Sequence, residues 1–374
     1  MNILQIMSGS YPPNEGVGSH VYSISRNLVK KGHSLKIIVR DHSVKKITRF
    51  YDNGIEIVLI PVTKIPFIST FLFKRKIESL FKNEIIDVIH YHSPLVPFVK
   101  LQTIKNIITI HSTMKIDTSY IESVSLNAIL NKIMGKFLSP IIENQLLKNV
   151  DQIIVVSQDI KEELKTGYNY KKNNIFYIPN GIDNDVFYDM NLKRKKQIVY
   201  IGRLGYRKGI PIILKAIQDL YDYLKTNEYN IVFSGEGHLK QYVVKFIETN
   251  NLSDIVTITS KKQSEVNQLL NESMFLIMNS TYETGPRAVL EAMFTNTPVI
   301  ATKVGLLKHF NDEDFIKINE FNKESVIIAI KKSIKYGEQN KYNSLQEKHQ
   351  YYIDKFNNET IVNDLVNLYV GKNA

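Results

Sequence analysis

Short apolar runs rich in isoleucine and valine alternate with longer amphipathic stretches from the first residues of this chain. Ile3–Met7, Ser34–Val39, Ile55–Ile60, Asp87–His90, Ile107–His111 and Gln152–Val156 read as strands. Between the first two, apolar residues at Val21, Ile24, Leu28 and Val29 predict a helix over Val21–Lys31, with Gly32 in the C-cap position. Near-continuous apolar strands separated by helices indicate βαβ units and a parallel sheet covered on both faces. Sheets of this kind bind ligands beyond the carboxyl ends of their strands.

The alternation then restarts. Ile198–Ile201, Ile231–Ser234, Ile255–Thr259, Phe275–Met278 and Pro298–Thr302 read as strands, with helices over Ile210–Leu224, Glu265–Asn271 and Ala288–Phe294. A chain of 374 residues exceeds what one core usually serves, so two domains are expected. The fold class is α/β: two doubly wound, Rossmann-like domains facing each other across a cleft. Residues 1–188 and 189–357 are the expected halves. The stretch Asp189–Gln197, with Lys193-Arg194-Lys195-Lys196, reads as a polar linker.

Composition narrows the class. No run of eighteen apolar residues could span a membrane. The opening Met1-Asn2-Ile3-Leu4-Gln5-Ile6-Met7 lacks a basic region and a cleavage site, so it reads as a strand and not a signal peptide. With no targeting signal, a cytoplasmic location is expected. The absence of cysteine excludes thiol chemistry. Charge is uneven: residues 1–180 hold 23 Lys/Arg against 14 Asp/Glu, and residues 181–374 hold 25 against 23. A basic first half suits an anionic partner, and suits equally a solvated basic face. No nucleic-acid-binding module accompanies the charge, which sets nucleic acid aside.

Three segments sit where a strand gives way to a helix. Ser8 to Val21 contains Gly9, Gly16 and Gly18, which let backbone amides approach an anion, although the spacing misses the dinucleotide fingerprint. Alone it reads more readily as an ordinary βα loop than as an anion site. Gly202-Arg203-Leu204-Gly205-Tyr206-Arg207-Lys208-Gly209 places cations and amides where a departing diphosphate would develop charge. Glu283-Thr284-Gly285-Pro286-Arg287 through Glu291-Ala292-Met293 sets Pro286 at a helix start, Glu283 in the preceding loop and Glu291 inside the helix. Carboxylates so placed can grip sugar and ribose hydroxyls while helix amides face phosphate. The plainer alternatives are capping by Glu283 and a surface ion pair at Glu291. Asn296, after the helix, tolerates the left-handed conformation.

In this order, and together with Ile178-Pro179-Asn180-Gly181-Ile182-Asp183 and Thr297-Pro298-Val299-Ile300-Ala301, these segments resemble glycosyltransferase family 4 over residues 1 to about 305. The resemblance implies the GT-B fold and a retaining transfer from a nucleotide sugar such as a UDP- or GDP-sugar, with no cofactor. It assigns Arg203 and Lys208 to the donor diphosphate, Glu283 to the transferred sugar and Glu291 to the ribose. Gly16 and Gly18 become donor-side backbone contacts, and His111 the residue beside the reacting sugar, with His92 a weaker candidate. Gly285, Pro286 and Arg287 complete the donor set. The fold also implies that the helical stretch Thr360–Val370, within residues 358–374, returns to the N-terminal domain.

Retaining glycosidases use two carboxylates about 5 Å apart, and the sequence shows no such pair. The family is thought to use front-face attack with the leaving phosphate helping to deprotonate the acceptor. Catalysis is then positioning and electrostatics. Asp183-Asn184-Asp185 and Asp312-Glu313-Asp314 fit a metal-binding Asp-x-Asp pattern, yet neither lies in the phosphate segments, and no metal is expected. The chain departs from the family at Pro286, where glycine is usual and an N–H is lost. It departs also at Arg287, at Leu306 after Gly305, and at Ser260-Lys261-Lys262.

Lys64–Lys82 combines Phe67, Phe71 and Phe73 with Lys74, Arg75 and Lys76. It suits an anionic membrane surface, and equally a core-facing helix with basic solvent positions. The expected partners are therefore a nucleotide-sugar donor, a glycan or lipid-linked acceptor and an anionic, inner membrane face. A sugar-nucleotide epimerase and a non-catalytic binding protein are the competing readings.

Overall fold

A computed structural model of the chain describes residues 1–12, 16–63, 66–119, 132–133, 139–339 and 343–372. The chain forms two compact units, Met1–Gly181 with Asn358–Ala374, and Ile182–Asn357.

The first unit holds eight strands: β1 Asn2–Ser8, β2 Ser34–Asp41, β3 Thr48–Asp52, β4 Ile55–Pro61, β5 Ile86–His92, β6 Thr103–Ile110, β7 Gln152–Val155 and β8 Ile175–Tyr177. Their order is β3-β4-β2-β1-β5-β6-β7-β8, and every pairing is parallel except β3 with β4. The antiparallel pair turns at Asn53-Gly54, both at positive φ, as a two-residue hairpin requires. Sequence periodicity misses β3 because its residues Thr-Arg-Phe-Tyr-Asp are half exposed on a sheet edge.

The helix Gly16–Lys30 covers one face of this sheet and starts five residues before the expected Val21. Gly16 and Gly18 therefore belong to its first turn, whose amides have no partner within the helix. Gly32 follows with φ 83°, the expected left-handed stop. The C-terminal helix Asn358–Tyr369 packs on the same face, burying Ile361, Val362, Leu365, Leu368 and Tyr369 against Val21, Ile24 and Leu28.

The second unit holds β9 Lys195–Ile201, β10 Asn230–Ser234, β11 Val256–Thr259, β12 Ser273–Met278, β13 Val299–Thr302 and β14 Ile316–Ile318. Their order, β11-β10-β9-β12-β13-β14, is all parallel and is the doubly wound order 3-2-1-4-5-6. Strands β4-β2-β1-β5-β6-β7 repeat that order in the first unit. The strand order reverses between β1 and β5 and between β9 and β12, which is where such sheets open a ligand crevice.

Two sequence expectations need correction here. The long helix Ile210–Leu224 is two helices, Ile210–Asp219 and Tyr221–Thr226, with Leu220 outside helical geometry between them. The charged stretch Lys193–Lys196 is more than a polar linker. Lys195 and Lys196 open β9, and the Arg194 guanidinium donates to the carbonyls of Ser273 at 2.8 Å and Thr295 at 2.9 Å and to Thr297 Oγ1 at 2.9 Å.

Candidate active site

The switch point of the second unit gathers the cationic loop and the paired glutamates. After β9 the chain turns through Gly202 to Leu204, whose amide donates to the Glu236 carbonyl at 2.8 Å. A 3₁₀ turn, Tyr206–Lys208, follows and is closed by Gly209 at φ 67°. A Cβ at Gly209 would lie 2.3 Å from the Asn279 carbonyl, so only glycine lets this loop approach the end of β12. The loops are stitched again where the Thr281 amide donates to the Arg207 carbonyl at 2.9 Å.

This stitching brings Lys208 to Glu283. The Lys208 ammonium donates to Glu283 Oε1, which also accepts from Ser280 Oγ at 2.7 Å. Arg203 is exposed on the same loop. The fully buried Tyr200 lies within the field of both Glu283 and Arg203; burial, then Glu283, raises its pKa well above the ordinary value, and Arg203 opposes them. Glu283 caps no helix. Its backbone is held by Gly305 at φ 56°, where a Cβ would meet the Glu283 carbonyl at 2.1 Å. Leu306, the family departure, is buried and donates its amide to the Thr284 carbonyl at 3.1 Å.

Pro286 takes the N-cap position of the helix Arg287–Phe294, next to Gly285. Glu291 sits in the second turn and is 9% exposed, so it is no surface ion pair. Arg287 Nη2 lies 3.3 Å from its Oε1. Burial raises the Glu291 pKa, and Arg287 works against that rise. Asn296 follows the helix at φ 54°, as expected. Beside Ser280, a recess of about 530 Å³ opens at the ends of β12, β13 and β14, lined by Lys303, Lys308 and Lys317.

The acidic triplets are engaged elsewhere. Asp312 pairs with Lys303 at 2.5 Å and Lys317 at 3.4 Å, and buried Asp314 accepts from the Tyr352 hydroxyl. Buried Asp183 accepts the Asp185 amide at 3.0 Å within a turn. Among the described residues, no group of three or more His, Asp or Glu could hold a metal ion.

At the switch point of the first unit, His111 follows β6, and its amide donates to Ser93 Oγ at 3.0 Å. It is not a solitary histidine. His92 at the end of β5 places Nδ1 3.3 Å from His111 Nε2, with ring planes 27° apart. His90 lies against His92 with centroids 4.1 Å apart, and His20 meets His111 edge-on at 5.2 Å. Gln5 on β1 places Oε1 3.1 Å from His92 Nε2. Sequence reading found His111 and His92 but missed Gln5, His20 and His90. The signal was there in the period-two spacing of His90 and His92, which strand register pairs with β1. Pro13, Asn14 and Glu15 of the glycine loop lie outside the described residues.

The helix Pro66–Phe81 splits the expected membrane cluster. Phe73, Ile77 and Phe81 are buried in the core, while Ile68, Phe71 and Arg75 are exposed. Lys74 pairs with Glu78 at 3.8 Å, and Lys76 donates to the Pro61 carbonyl at 2.6 Å. Lys64, Ile65 and the Phe67 side chain lie outside the described residues. Among the described residues, no helix is long and apolar enough to cross a membrane.

Comparison with known proteins agrees with the fold. The profile described as Glycosyltransferase Family 4 matches residues 14–186, and that described as Glycosyl transferases group 1 matches residues 187–351. A human phosphatidylinositol N-acetylglucosaminyltransferase protein is 25% identical over 348 residues, covering 89% of this chain and 68% of that protein. Sucrose-phosphate synthase from Thermosynechococcus elongatus superposes with a TM-score of 0.81 at 18% identity, over 99% of this chain and 98% of that one. The Anabaena protein Alr3699/HepE, solved with UDP and glucose, gives 0.73 at 13% identity over 99% of both chains. Matched along most of its length by these two profiles and superposing on these structures, the chain is a glycosyltransferase of family 4 with the GT-B fold.

Proposed function

We propose that the protein is a retaining hexosyltransferase that takes its sugar from a nucleotide-sugar donor, such as a UDP- or GDP-sugar, without a metal. The acceptor is a glycan or a lipid-linked molecule. The observation that carries this reading is the Lys208–Glu283 ion pair at the carboxyl ends of β9 and β12, with Arg203 exposed on the same loop. Arg203 and Lys208 bind the diphosphate and stabilise the charge it gains on leaving. Glu283 accepts from hydroxyls of the transferred sugar, and Glu291, paired with Arg287, accepts from the ribose. The amides of Gly16 and Gly18 in a helix first turn suit the anionic donor or acceptor.

In the proposed reaction the bond from sugar C1 to the phosphate oxygen breaks. The acceptor oxygen bonds to C1 on the same face, and its proton passes to the leaving phosphate. No side chain need act as a base, so the rate enhancement rests on placement and fixed charge.

Similarity to a phosphatidylinositol N-acetylglucosaminyltransferase favours a lipid-linked acceptor and makes N-acetylhexosamine donors the first to test. Exposed Ile68, Phe71 and Arg75 suit a peripheral position on an anionic, cytoplasmic membrane face. Sedimentation with anionic vesicles tests this, and Phe71→Ser should weaken it.

The deciding experiment is a thermal-shift screen against UDP-, GDP- and ADP-sugars. The true donor at a hundred times its Kd should stabilise the fold by about 2.7 kcal/mol. No stabilisation by any nucleotide sugar would overturn the reading.

A further inference from the structure

Four histidines and a glutamine meet under the first switch point, and a line of hydrogen bonds runs through three of them, Gln5, His92 and His111. Gln5 Oε1 has no proton to give, so at 3.1 Å it accepts from His92 Nε2–H. His92 is fully buried, and burial holds its pKa well below the ordinary value, so the ring is neutral and carries one N–H. With that proton on Nε2, His92 Nδ1 is an acceptor. The ring nitrogen that faces it, at 3.3 Å, is His111 Nε2, which must donate. The rings are nearly coplanar, 27° apart with centroids at 5.6 Å, as an edge-to-edge bond requires.

We infer that Gln5 and His92 are positioning residues that set the tautomer of His111, with the proton on Nε2 and the lone pair on Nδ1. Packing fixes the relay from other sides. His90, anchored by Tyr369 and Thr109 at 2.7 Å each, lies against the His92 ring, and Ser93 Oγ accepts the His111 amide. In its neutral form a His111 so set accepts at Nδ1 and cannot donate there. It would therefore take a hydrogen bond from a hydroxyl of the sugar, and would reject a group that offers only an acceptor. This role rests on the reading of His111 as the residue beside the transferred sugar; the tautomer itself does not.

The test is a two-bond ¹H–¹⁵N spectrum of the full-length protein labelled at histidine, at neutral pH. Wild type should show His111 protonated at Nε2 alone. His92→Asn keeps an acceptor oxygen near the former Nδ1 and should preserve that pattern, whereas His92→Leu and Gln5→Leu should leave His111 in a mixture of tautomers. His92→Leu should lower kcat on the order of tenfold with little change in KM, and His92→Asn should restore most of it. A proton on His111 Nδ1 in wild type, or identical spectra and rates in the Leu and Asn variants, would overturn the inference. Normal turnover in His111→Ala beside the expected spectra would instead remove His111 from the sugar and leave the relay standing.

Discussion

Arg287 stands one helical turn before Glu291, its Nη2 3.3 Å from the carboxylate, with the two side chains only 11% and 12% exposed. Burial alone would push the Glu291 carboxyl up, and the guanidinium restrains it. Arg287→Leu should therefore let Glu291 hold a proton to higher pH, and a protonated carboxyl loses half its accepting capacity for ribose hydroxyls. Isothermal titration with the nucleoside diphosphate chosen by the thermal screen should show about tenfold weaker binding at mildly acidic pH. Affinity should recover as pH rises and Glu291 ionises. Wild-type affinity at every pH would take Glu291 off the ribose.

In the proposed reaction Lys208 faces the leaving phosphate. Removing one fixed charge that faces a developing anion typically costs 10² to 10³ in kcat, so Lys208→Ala should fall by about that factor. Glu283 would then keep the bond from Ser280. Glu283→Gln should also slow transfer, but with the diphosphate still bound. Nucleoside diphosphate release from the selected donor measures both, and a near-normal Lys208→Ala rate would remove Lys208 from the mechanism.

Much of this was legible in the sequence, and the omissions share a cause. Strands buried on both faces announce themselves as apolar runs, so the paired doubly wound sheets could be read from Ile3 to Thr302. The edge strand Thr48–Asp52 could not, because one face of it is wet. Arg194 looked like a linker charge because its partners lie more than seventy residues away in sequence, on the Leu270–Ser273 and Thr295–Thr297 segments. Gln5 gave no motif at all; only the register of β1 against β5 brings it to His92. Local patterns reveal elements, whereas long-range polar partners follow from topology.

Each unit should also be acid-sensitive. Burial lowers His90 in the first unit and His349 in the second to a pKa of about 3, with His111 and Arg194 adding smaller repulsions. In the unfolded chain each would titrate near 6.5. Between those values the unfolded state binds more protons, so stability is complete above the unfolded pKa and is lost as pH falls below it. By pH 5 each histidine should remove about 2 kcal/mol from its unit. Urea unfolding across this range measures the slope. His349→Leu should flatten it for amides of the second unit followed by hydrogen exchange, while leaving the first unit unchanged. A slope unaffected by His349→Leu would refute the assignment.

The sharpest stability test is Arg194. Its guanidinium reaches the carbonyls of Leu270 at 3.3 Å, Ser273 at 2.8 Å and Thr295 at 2.9 Å, and Thr297 Oγ1 at 2.9 Å, fastening the start of β9 to β12 and to the turn before β13. Methionine fills similar space and donates nothing, so Arg194→Met should leave several of these acceptors poorly satisfied at a cost of about 3 kcal/mol. Arg194→Lys offers one point charge in place of a planar fork and should recover less than half. Hydrogen exchange at β9, β12 and β13 should accelerate in both variants, with the first unit unaffected. Equal stability of Met and Arg at this position would show that the fork is dispensable and that packing of β9 alone holds the second sheet together.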